Sequence, residues 1–132
     1  PFVKMIVMVV VAFYYGANGA FMLFDPVQWY NQVPGVPHTG PMNSHFIRDI
    51  GFIYLLSGLC FVLACRQREN YRLWLAVGSA WPGLHAIFHI AEWFHHVFPP
   101  MAILGPEIVG VIVPVLIGVV LAWPAPQNTV NP

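Results

Sequence analysis

The chain has 132 residues, of which 58% are hydrophobic and 8% are Asp, Glu, Lys or Arg, with a formal net charge of zero. A soluble domain carries about a quarter charged residues, so this composition cannot coat a water-facing surface. No Lys/Arg-rich run exists, so nucleic-acid binding has no electrostatic basis.

The length fits one domain, residues 1–132. Its first apolar segment, about residues 2–24, reaches the ~20 residues needed to cross a bilayer. The segment is too long, and lacks the cationic start, of a cleavable signal peptide. An outer loop follows over residues 25–43, rich in Pro and Gly. Asp25 followed by Pro26 is a good helix start, and Trp29 and Tyr30 suit the membrane–water boundary. The expectation is a short interfacial helix there, then an irregular stretch that cannot sit in lipid. A second apolar segment spans residues 44–65, a third 71–97 and a fourth 101–123. The tight polar turn RQREN joins the second and third, and Pro99-Pro100 the third and fourth. Residues 125–132 read as a disordered tail. The predicted fold is therefore all-α: an integral membrane four-helix bundle with an interfacial helix between its first two helices.

Glycines and alanines supply the faces on which such helices approach, namely Gly16, Gly19 and Ala20, Gly51 and Gly58, and Gly110 and Gly118. Pro82 and Pro114 are expected to kink their helices. Cys60 and Cys65, five residues apart on one helix, read as unpaired apolar residues. Lys4, Arg66, Arg68 and Arg72 fall on one side of a four-crossing topology and only Arg48 on the other. The positive-inside rule then places both termini in the cytoplasm.

Most ionisable residues gather toward the other side. His45, Arg48 and Asp49 open the second helix, His85, His89, Glu92, His95 and His96 occupy the outer half of the third, and Glu107 lies in the second turn of the fourth. At ~100° per residue, His85, His89, Glu92 and His96 share a stripe about 60° wide, with His95 off it. A charge at the bilayer centre costs at least ~2.5 kcal/mol, so such groups normally face inward and pair. The expected site is a buried His/Asp/Glu cluster. His45, Asp49, His85, His89 and Glu92 are its candidate metal ligands, with Arg48, His96 and Glu107 supporting. Imidazole with carboxylate suits Zn, Cu, Fe or Mn. The single E-x-x-H at Glu92 and His95 is half of a di-iron pattern, and bis-histidine haem is the weaker cofactor reading.

Asn43-Ser44-His45-Phe46-Ile47-Arg48-Asp49-Ile50-Gly51 and His85-Ala86-Ile87-Phe88-His89 resemble the N-x-H-F-x-x-D-I-G and H-A-x-x-H stretches of a group of small, uncharacterised bacterial four-helix membrane proteins, loosely DoxX-like in architecture. The resemblance covers roughly residues 26–92. It implies a bacterial inner-membrane bundle and supplies no activity. Three functions stand open on the residues alone: a metal-binding or redox membrane protein, a non-catalytic accessory subunit of a larger membrane complex, and an enzyme acting on a lipid or quinone. In the second, the cluster is a structural hydrogen-bond network. Membrane lipid, other membrane subunits and a second copy of the chain are the expected partners.

Overall fold

Each long apolar run folds as a helix, because hydrogen bonding within a single helix satisfies its backbone without help from neighbours or water. The computed structural model describes residues 2–95 and 97–124, so His96 and the tail expectation lie outside the described residues. In chain order the helices are α1 (Phe2–Phe24), α2 (Pro26–Gln32), α3 (Ser44–Arg66), α4 (Tyr71–His95), α5 (Met101–Glu107) and α6 (Val113–Ala122). A π-helical turn, Ile108–Ile112, joins α5 to α6. Counting Met101–Ala122 as one, the described residues form five helices and no strand.

Three of these, Phe2–Phe24, Ser44–Arg66 and Met101–Ala122, are long and apolar enough to cross a membrane. The fourth expected span folds as α4, which at 25 residues has the length but is not among these three. Arg72, Ser79, His85, His89 and Glu92 dilute its apolar character. The polar residues that make α4 chemically interesting also weaken its hydrophobic signature.

The caps follow from the sequence. Asp25 accepts a hydrogen bond from the Gln28 amide at 3.1 Å and starts α2 at Pro26, as expected. Asn43 accepts one from the Phe46 amide at 3.1 Å and starts α3. The indole of Trp29 donates to Asn18 at 2.8 Å, which folds α2 back onto α1.

Helices α1 and α3 pack antiparallel on a small-residue seam. A Cβ at Gly19 would lie 2.6 Å from the Gly51 carbonyl oxygen, and one at Gly58 3.0 Å from that of Ala12. Glycine permits this backbone approach, which supplies dispersion contacts and close packing between the two helices. Helix α3 packs next on α4, and α4 on α6. Tyr15, Phe61 and Leu75 are the largest fully buried side chains, at the junction of α1, α3 and α4. Cys60 and Cys65 are free and half-buried.

A π turn, rather than a simple bend, accompanies Pro114. Proline has no N–H to offer the Gly110 carbonyl four residues back. The Tyr14 hydroxyl donates to that carbonyl at 2.6 Å, so α1 supplies a donor that Pro114 cannot.

The proline-rich stretch is ordered by short contacts. The Tyr30 hydroxyl donates to the Gly40 carbonyl at 2.7 Å, and a 3₁₀ turn forms over Val36–His38. Val33, Val36 and Met42 pack onto the core. Gly35 has φ 89°, and a Cβ there would meet Ile103 Cγ2 at 3.0 Å and Glu107 Oε1 at 3.6 Å. The loop therefore lies directly over α5.

Candidate functional site between α4 and α5

On α4, Trp81, His85, His89 and Trp93 recur every four residues and form one ladder. The Trp81 and His85 rings stack with centroids 4.9 Å apart and 13° between planes. The His85 and His89 rings meet edge-on at 4.5 Å, with their Nε2 atoms 3.2 Å apart. The break at Pro99-Pro100 turns the chain back, and α5 brings Glu107 against this ladder. Glu107 Oε1 lies 3.2 Å from His89 Nδ1, and Glu107 Oε2 accepts a 2.6 Å hydrogen bond from the Trp93 indole. The side chains of His89 and Glu107 are 20% and 16% exposed.

Glu107, when ionised, selects the His89 tautomer: a carboxylate oxygen only accepts, so Nδ1 of His89 then carries the proton. In the neutral ring Nε2 then holds a bare lone pair, and that lone pair lies beside His85 Nε2. Two arrangements satisfy the contact. Either His85 donates from Nε2–H, giving a chain from His85 through His89 to Glu107, or both Nε2 atoms are unprotonated and turn to a common electrophile.

The cluster is narrower than expected. His45 and Asp49 do not join it: their side chains pair with each other at 3.4 Å and are 89% and 56% exposed. The phase of α3 is the reason. Ile47, Gly51, Tyr54, Gly58 and Phe61 face inward, and Asp49 sits about 200° from Gly51 on the helix. Arg48 is not a counter-ion to the cluster either. Its Nε donates to the Leu23 carbonyl at 3.1 Å, so it caps the C-terminal end of α1. Glu92 is half-buried on α4, three residues beyond His89, and His95 is exposed. Among the described residues, no three of His, Cys, Asp and Glu form a group that could hold a metal ion. Of the five expected ligands, the structure brings His85 and His89 together and leaves His45 and Asp49 apart from them, with Glu107 standing against His89.

Trp81 and Trp93 escaped the sequence reading, although their i±4 spacing from His85 and His89 was visible. Gly35 escaped it too, and no local pattern signals that this loop reaches α5. Comparison with family models, with curated proteins and with solved structures finds no match to this chain.

Proposed function

We propose that the chain is a multi-pass protein of the bacterial inner membrane that binds one transition-metal ion through His85 and His89, with Glu107 orienting His89 from behind. In this reading α1, α3, α4 and Met101–Ala122 cross as a four-helix bundle. Helix α4 crosses despite its polar residues because several of them turn toward α5. The observation that carries the metal reading is the 3.2 Å approach of the two Nε2 atoms, with Glu107 on the opposite nitrogen of His89. Two nitrogens each about 2.0–2.1 Å from one zinc at a tetrahedral angle lie about 3.3–3.4 Å apart, so little movement is needed to admit an ion. A carboxylate on the distal nitrogen of a ligating histidine is the usual orienting partner. Imidazole donors favour zinc or copper. Two protein donors leave the remaining positions to water or an incoming ligand, as in metal sites that do chemistry rather than hold a fold together.

The full pairing of Glu107, with a donor on each oxygen, favours a second reading: a structural network that fixes α5 on α4 in an accessory subunit. Elemental analysis of protein prepared without chelators and supplemented with zinc or copper separates the two. Near-stoichiometric metal in wild type and in His45→Ala, with loss in His89→Ala, is the expected result. A folded wild type that stays metal-free after supplementation refutes the metal reading and leaves the network.

A further inference from the structure

At the opposite end of the molecule from the histidines, a cavity of about 440 Å³ opens where α1, α4 and α6 converge. Lys4 and Arg72 line it together with Tyr71, Val120 and Trp123, and among the described residues no acidic one does. Arg72 is held in place: its Nε donates to the Tyr71 hydroxyl at 3.0 Å and its guanidinium carbon lies 5.6 Å from that ring's centroid. Its two terminal nitrogens are then left for an anion, in the fork geometry that suits phosphate oxygens. Val119, Trp123 and Pro124 also line a second cavity, of about 290 Å³. That one runs between α4 and α6 against Ala76, Ala80 and Ala122. The cationic mouth therefore continues into a slot walled by small side chains, apolar but for Ser79.

We propose that this paired cavity binds one anionic phospholipid, its phosphate on Lys4 and Arg72 and one acyl chain along the slot between α4 and α6. Charge complementarity selects the headgroup, because basic pockets between membrane helices on the cytoplasmic side take anionic lipids. The slot selects a lipid over a free phosphate, which would leave the apolar walls empty. Trp123 stands at the mouth, where an indole suits the level of the headgroups. The site depends on the membrane reading of the chain and not on the metal.

The test is retention of phosphatidylglycerol against phosphatidylcholine by the purified full chain, read by native mass spectrometry from nanodiscs containing both. Wild type should keep one phosphatidylglycerol in preference. Lys4→Gln and Arg72→Gln should each weaken retention about fivefold, following the usual worth of one basic residue near anionic lipid. Arg68→Gln, outside the cavity, should change nothing. Val119→Trp should fill the slot and lose the lipid with both cations intact. Equal retention of the two lipids, or insensitivity to Lys4→Gln and Arg72→Gln, overturns the proposal. Displacement by inorganic phosphate with no effect of Val119→Trp overturns it in favour of a small-anion site. Failure to reconstitute into nanodiscs at all would sink the membrane reading itself, an outcome distinct from loss of preference.

Discussion

Replacing Glu107 with Ala tests whether the α4–α5 site acts as a unit. The carboxylate accepts from the His89 ring and from the Trp93 indole, so truncation strands two donors in a half-buried interface. A stranded buried donor costs about 1–3 kcal/mol. Interhelical hydrogen bonds in lipid average nearer 0.6 kcal/mol, with a maximum of ~1.7, because alternative partners exist in the unfolded state. The residual exposure of both side chains, 20% and 16%, argues for the lower scale. Two bonds then give a loss of roughly 1–3 kcal/mol for Glu107→Ala. Trp93→Phe removes one donor and should cost less. In the double variant the loss should fall short of the sum by about 0.5–1.5 kcal/mol, because the two changes delete one shared bond. Glu107→Gln should be intermediate, since its amide oxygen serves one donor while its NH₂ faces the other. The assay is reversible unfolding in mixed micelles, followed by far-UV circular dichroism as the denaturing detergent fraction rises. Additivity of the two single changes within about 0.3 kcal/mol would refute the coupling.

Two further outcomes follow from the fold. Tyr14→Phe should cost about 1 kcal/mol by abandoning the Gly110 carbonyl, and the cost should shrink when Pro114→Ala restores a backbone donor; equal losses in both backgrounds, by the same unfolding assay, would contradict the compensation. A reporter fused at the C-terminal end should be active only on the cytoplasmic side, because Lys4, Arg66, Arg68 and Arg72 share one end of the helices; periplasmic activity would reverse the orientation.

The helices were legible because apolar runs and polar breaks are long-range features of composition. The bounds 2–24 and 44–65 fall within a residue of α1 and α3, and the Asp25-Pro26 start of α2 is visible in two residues. The small-residue seam was legible at Gly19, Gly51 and Gly58. The site was legible only in part. The i, i+4 rule shows that His45 and Asp49 share a face, but not which one. The answer was nonetheless available in the chain: Gly51 belongs to the packing face, and two residues of offset carry Asp49 to the far side. Contacts that depend on tertiary folding were out of reach. Spacing on α4 cannot reveal that Glu107 returns to His89 across eighteen residues, or that Gly35 lies over both α5 and the carboxylate. Nor does a proline in a helical run announce whether a kink or a π turn will follow.

The formal charge of zero conceals an electrical polarity along the helices. Antiparallel packing puts Lys4, Arg66, Arg68 and Arg72 at one end with Glu69. Asp25, Asp49, Glu92 and Glu107 lie toward the other with Arg48. Each end thus carries a net excess of three charges, of opposite sign. In the membrane setting proposed above, with the cell interior negative, such a molecule would be a dipole aligned with the field when its cations lie inside. Carrying one charge across the full potential is worth about 2.3 kcal/mol per 100 mV, so inverting the whole chain would work against the field by on the order of 10 kcal/mol at that voltage. The membrane potential, and not the loop charges alone, would then hold the protein in a single orientation once inserted.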